Sequence, residues 1–202
     1  MGVIRSLVNV FVATIGVFIY FTAHTIYQVE VATPGAPSLD DWPVSFNKDK
    51  IDGIVKSRQP LIAALKEFDS KSNWKSIITD DIVFEAPVLS ITGANDFILF
   101  VEKFTQYKSE FTVVESLGEY HNAQEILLDW NIKWGIEGLR NFNQHIRFRV
   151  FIESPNKIFK IVEEWNGNPL LNEKTTNGFL GKFHSKFRMY TGQMLVMLMK
   201  IK

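Results

Sequence analysis

The strongest constraint in this chain is a two-residue alternation running from Ala123 to Trp165. In residues 125–134, Ile126, Leu128, Trp130, Ile132 and Trp134 share one side, while Leu127, Asp129, Asn131 and Lys133 share the other. His145, Arg147 and Arg149 then alternate with Ile146, Phe148, Val150 and Ile152. After the Ser154-Pro155-Asn156 turn, Phe159, Ile161 and Trp165 alternate with Lys160 and Glu164. Successive side chains of a strand point to opposite faces. The spacing therefore predicts three consecutive antiparallel strands in a sheet with one dry and one wet face.

Upstream, residues 49–72 place Ile51, Ile54, Val55, Leu61, Ile62, Leu65 and Phe68 at three- and four-residue intervals, a helical stripe that Pro60 should kink or break. Asp80 to Pro87 reads as a short strand ended by proline. Thr92-Gly93-Ala94-Asn95 reads as a turn with Asn95 in a capping position, followed by a helix over 96–107 and a strand over 111–120.

The two ends differ from this middle. Residues 7–23 are almost continuously apolar, and no charge occurs between Arg5 and Glu30. A membrane helix needs about 20 apolar residues, about 17 at the least. A single-pass anchor over residues 1–30 is the leading reading; a cleaved signal peptide and a buried core helix are the alternatives. Arg5 and the amino terminus place the N-terminus in the cytosol and the domain on the far side, in a membrane such as the endoplasmic reticulum. Residues 31–47 carry Pro34, Gly35, Pro37 and Pro43 and read as a linker. Residues 169–202 form a tail that ends in Phe183, Phe187, Met194, Leu195, Val196, Leu198, Met199 and Ile201, mixed with basic residues. This tail suits a membrane surface, a helix closing the domain's mouth, or a dimer contact.

Overall charge narrows the partners. The net charge is zero, yet no acidic residue follows Lys174, so the remainder is net acidic. No basic stripe marks the domain for nucleic acid. There is no cysteine, which excludes disulfides, thiolate metal sites and a cysteine nucleophile. No His or carboxylate cluster has metal-ligand spacing, and nothing calls for a cofactor.

The order helix, short strand before proline, glycine turn, short helix, then strands closing on a tryptophan resembles the nuclear-transport-factor-2-like (NTF2-like) superfamily, which includes SnoaL-like and ketosteroid-isomerase-like domains. The residues that carry the likeness are Asp81-Ile82-Val83-Phe84-Glu85-Ala86-Pro87, Gly93 with the helix after it, and the hairpin over 146–165. It covers residues 48–168, and with its two appendages the chain is similar to some fungal members. The resemblance implies an α+β cone: a strongly curved antiparallel sheet wrapped around helices, enclosing a pocket. Phe84, Ala86, Leu128, Trp130, Trp134, Phe148, Ile161 and Trp165 would line that pocket.

The superfamily holds isomerases, dehydratases, hydrolases, carriers and interaction modules, so fold alone selects no function. In the isomerase pattern the base precedes the first-strand proline, where this chain has Ala86. The second acid falls near Phe148, and the first helix has no tyrosine. Glu85 should turn to the opposite face. A hydrolase-like Asp129 with Arg147 or Arg149 reads instead as a cross-strand ion pair on the wet face. His145, which a dehydratase would need paired in the pocket, reads as a lone outward histidine. Glu163 breaks the apolar pattern: it shares parity with Phe159, Ile161 and Trp165. On the pocket wall it would be a desolvated carboxyl, fit to act as a base or to anchor a ligand. At a frayed strand end it would be wet.

The reading that follows is a membrane-tethered, non-catalytic domain binding an apolar, lipid- or sterol-like molecule. A lipid-metabolising enzyme using Glu163, and a homodimeric scaffold with a filled cavity, are the alternatives.

Overall fold

The computed structural model describes residues 16, 19–25, 48–69, 71–122, 124–138, 141–153, 156–172 and 178–201. In chain order the elements are α1 (Lys48–Glu67), α2 (Trp74–Ile77), β1 (Ile78–Ala86), β2 (Leu89–Thr92), α3 (Ala94–Tyr107), β3 (Lys108–His121), β4 (Glu125–Ile136), β5 (Phe142–Glu153), β6 (Lys157–Trp165) and α4 (Phe179–Ile201). The strands form a six-stranded sheet in the order β2-β1-β6-β5-β4-β3.

β3 to β6 make the antiparallel meander that the alternation predicts, with Leu128 opposite Phe148 and Phe148 opposite Glu163. The sheet is not antiparallel throughout, however. β1 runs parallel to β6, with Phe84 opposite Ile161. Periodicity reports which residues share a face and is silent on the direction of a long-range partner. β2 was not expected at all: four residues are too few to show a period.

Curvature has a local cause. The β3–β4 register shifts between Lys108 and Glu110, Val113 and Glu115, and Ser116 and Gly118. Each such irregularity bends and twists the strand. The apolar residues of the concave side then meet α1 and α3. Leu61, Ile62, Leu65, Phe97 and Val101 pack with Ile126, Trp130, Phe148 and Ile161 in one buried cluster.

Several boundaries move from their expected places. α1 runs continuously through Pro60 and ends at Glu67. Pro60 is exposed, so its ring is not forced into the core. α3 begins after Gly93, not an asparagine cap: Gly93 has φ 95°, donates its N–H to Ile82 O at 2.8 Å, and has the freedom that this conformation needs. In β6 the pairing jumps from Lys160–Phe151 to Ile158–Ile152, leaving Phe159 as an extra residue. That bulge overturns the expected parity. Ile158 takes the core position, and Phe159 is 39% exposed, tilted against Phe151 with ring centroids 6.1 Å apart.

α4 lies against β2 and α3. Its inward face buries His184, Arg188, Gly192 and Val196. Arg188 Nη1 donates to Leu171 O at 2.8 Å. Gly192 allows the close approach: a Cβ there would lie 1.9 Å from the Ser90 carbonyl oxygen. Backbone cannot yield as a flexible side chain would, so Gly192→Ala is expected to lower stability by about 1–3 kcal/mol, the usual cost of overpacking. Chemical denaturation of the variant checks this; a loss within about 0.5 kcal/mol, the range of neutral surface changes, would mean that the α4–β2 contact is loose.

The expected anchor and linker, residues 1–47, lie largely outside the described residues. The described part of the apolar run, 19–25, is helical, and its Phe21 stacks on Phe187 of α4. Tyr20 Oη lies 2.8 Å from His184 Nε2. Among the described residues, no helix is long and apolar enough to cross a membrane.

Candidate functional site

The meander's alternation and the two helices facing it leave an apolar cavity of about 120 Å³ between the sheet and α3. β1 contributes Phe84 and Ala86, and the β1–β2 connection contributes Val88 and Leu89. Phe100 and Phe104 come from α3, Phe111 from β3, and Phe68 from just beyond α1. Trp134, Ile146, Phe148, Glu163 and Trp165 complete the wall from β4, β5 and β6.

Glu163 and Trp165 are two residues apart on one strand and so share the concave face. Trp165 Nε1–H donates to Glu163 Oε1 at 2.5 Å. Glu163 keeps some accessible area, yet the protein packed around it strips its carboxyl of bulk water. Burial pushes its pKa up to about 7, and the Trp165 hydrogen bond opposes that only in part. Among the described residues, no charged neighbour contributes. Among the described residues, Trp165 is the carboxyl's one hydrogen-bond partner.

Of the residues expected in the pocket wall, Phe84, Ala86, Trp134, Phe148 and Trp165 line the cavity. Leu128, Trp130 and Ile161 do not; they are buried in the core beneath it. The reason is α1, which fills the deeper part of the concave face and sets Lys66 Nζ 5.7 Å over the Trp130 ring. Phe68, Val88, Leu89, Phe100, Phe104, Phe111 and Ile146 were missed. The interval Phe97-Phe100-Phe104 was a legible helical stripe. The Phe68 position was not: Phe68 has φ 39°, a left-handed turn at the end of α1 that swings its ring toward Phe84, Phe104 and Phe111. Lys108 Nζ satisfies the carbonyls of Glu67 (2.8 Å) and Phe68 (3.1 Å) at that helix end.

The opposite face of the sheet holds a second cluster. Asp129 is opposite Arg147, and Arg147 is opposite Glu164. Arg147 Nη2 donates to Asp129 Oδ2 at 3.2 Å, and His145 Nε2 meets Asp129 Oδ1. The expected cross-strand pair is present but the expected wet setting is not. Asp129, Arg147 and Glu164 are only 4, 8 and 5% exposed. Nor is His145 alone, since Asp129 engages it. Burial works against the Asp129 charge, but His145 and Arg147 outweigh it and hold its pKa low. Burial raises Glu164 to about 7 although Arg149 and Arg147 oppose it. This row faces away from the cavity and cannot act on anything inside it. Glu85 also points away: it pairs with Lys160 at 2.5 Å, while its neighbour Ala86 lines the wall. Among the described residues, no cluster could hold a metal ion.

No protein-family model matches the chain. No curated protein matches it in sequence. Solved structures resemble it in shape. An NTF2-like protein from Anabaena variabilis is 10% identical over 61% of this chain and 94% of that one, with a TM-score of 0.48. A putative SnoaL-like polyketide cyclase from Jannaschia is 7% identical over 55% of this chain and 85% of that one, with a TM-score of 0.47. An NTF2-like protein from Burkholderia xenovorans is 16% identical over 60% of this chain and 92% of that one, again at 0.47. Each is a likeness of fold, and the architecture above rests on this chain's own strand order and register.

Proposed function

We propose that this chain is a small-molecule-binding domain of NTF2-like type, tethered to a membrane, that holds a mostly apolar ligand in its cavity without transforming it. One observation carries the reading: among the described residues of the cavity wall, Glu163 is the one ionisable side chain, and the rest are aliphatic or aromatic. Turnover needs a second group to stabilise the charge that a base creates. Trp165 Nε1–H, the nearest donor, is already spent on Glu163 itself. A dry cavity of roughly 150 Å³ takes a benzene-sized guest. A lipid- or sterol-like ligand would therefore seat one end here, with its polar group on Glu163.

The second reading, an enzyme acting on such a molecule, draws on the Glu163 pKa near 7, which suits a general acid or base. Native mass spectrometry of the purified chain, followed by organic extraction, tests both. A stoichiometric small adduct that the native chain leaves chemically unaltered supports binding. Accumulation of an altered ligand only with Glu163 present supports turnover. A clean apo mass from folded protein supports a filled scaffold instead. The tether rests on the uncharged run between Arg5 and Glu30 and on the outer face of α4, where Tyr190, Met194, Met197, Leu198 and Ile201 are exposed. Co-flotation of the full chain with vesicles, resistant to high salt, is the expected result; recovery in the soluble fraction would refute the tether.

A further inference from the structure

The cavity wall has a second property besides being apolar: it is built mainly of aromatic side chains. Phe84 and Phe100 have centroids 5.6 Å apart, Phe100 and Phe104 6.1 Å, and Phe68 and Phe111 5.8 Å, while Phe68 meets Phe104 and Phe104 meets Phe111 edge-on, so the rings pack as one aromatic cluster. Trp134 and Trp165 extend it on the sheet side. Ring faces carry partial negative charge. They attract cations, Trp most strongly, and they repel anions and the negative end of a carbonyl. Phe111 already shows the preference, with Lys108 Nζ 5.8 Å from its centroid. Among the described residues, the one ionisable group in this box is a carboxyl, also of negative sign when ionised.

We propose that the polar group of the ligand is a small alkylammonium, seated among the aromatic rings and paired with Glu163. This rests on the binding reading above and names the ligand class for the same site. Size supports it. A cavity of about 120 Å³ admits a group of few atoms, and a small neutral guest gains at most about 1.5 kcal/mol per heavy atom, far less in ordinary cases. A cation adds an ion pair and cation–π contacts inside a water-poor site, where both are stronger than in water. It also removes the cost of the lone buried carboxylate, because the ligand supplies the missing counter-charge.

The groups around Glu163 leave the pH dependence to this residue. Neither the β1 and β2 wall (Phe84, Ala86, Leu89), nor α3 (Phe100, Phe104), nor the sheet residues opposite (Trp134, Phe148) carry an ionisable group. Glu164 turns to the other face, and Lys108 Nζ is held by the Glu67 and Phe68 carbonyls at the end of α1. Ammonium binding should therefore expel one proton from Glu163 and strengthen as pH rises through about 7.

The test is calorimetric titration of the full chain with tert-butylammonium and with tert-butanol, which has nearly the same shape and no charge. The expected result is binding of the ammonium at least about tenfold tighter at about pH 8, weakening about tenfold per unit below pH 7, with proton release on binding. Tert-butanol should show no such pH dependence. Glu163→Gln should abolish the preference for the cation and its pH dependence, with thermal denaturation of the variant reporting an intact fold. If that variant does not fold, the pH profile of the native chain decides. Equal or tighter binding of tert-butanol at high pH overturns the cation and leaves the binding domain standing with a neutral ligand. Failure of both probes overturns the inference and removes the support for the binding reading as well.

Discussion

Asp129→Ala is expected to lower the unfolding free energy by about 3–5 kcal/mol, the cost of leaving a buried charge without its partner. Arg147 depends on Asp129. Among the described residues its buried Nε has no hydrogen-bond partner, and Asp129 Oδ2 takes its Nη2 at 3.2 Å. Removing the carboxylate also frees His145 and leaves Glu164 as the remaining acidic neighbour, itself held at about 7 by burial. Lys133→Ala is the contrast. It breaks a 2.9 Å pair with Glu110 in which the lysine is nearly half exposed, and should cost about 1 kcal/mol at most. Urea denaturation of the two variants at neutral pH measures both. An Asp129→Ala loss as small as that of Lys133→Ala would show that water reaches the row.

The second large effect is a dependence on pH. The Glu163 carboxyl has an ordinary pKa of 4.5 in the unfolded chain and about 7 in the folded one. A raised acid binds its proton more tightly when folded. Its contribution is thus fully present below about 4.5, is lost as pH rises, and is gone above about 7. The span corresponds to about 3 kcal/mol. Glu164 acts in the same direction. His184 acts in the opposite one: burial, with His24 and Arg188 nearby, lowers it to about 4, so its contribution is lost as pH falls from about 6.5. Only a difference between proteins isolates Glu163. Relative to the native chain, Glu163→Gln should gain about 3 kcal/mol between about pH 4 and about pH 8, read from denaturation midpoints across that range. Parallel curves would mean that Glu163 stays hydrated in the folded protein.

Much of the sheet was legible because alternation is a short-range signal. It assigned Ile126, Leu128, Trp130, Ile132, Ile146, Phe148 and Val150 to the dry face, and all seven are buried there. The same alternation put Glu163 on one side of β6 with Trp165, and Glu85 on the side away from Ala86. It failed at Phe159, where a single bulged residue reverses parity for everything before it. It also misjudged the far face as wet. Asp129, Arg147 and Glu164 are hydrophilic by type, but three strands place them side by side and the folded chain leaves them 4, 8 and 5% exposed.

What the sequence determined by itself was therefore local: which residues alternate, where helices carry apolar stripes, and that no cysteine chemistry is available. Tertiary structure decided the rest. Whether a dry-face residue lines a cavity or fills the core depends on how far α1 reaches into the cone, which separates Trp134 from Trp130. Whether β1 runs parallel to β6 depends on a pairing between segments far apart in the chain. The character of Glu163 depends on both. Its side of the strand follows from a two-residue period, but its proton affinity follows from the rings that Phe68, α3 and β3 bring around it, since desolvation is a property of surroundings and not of the residue.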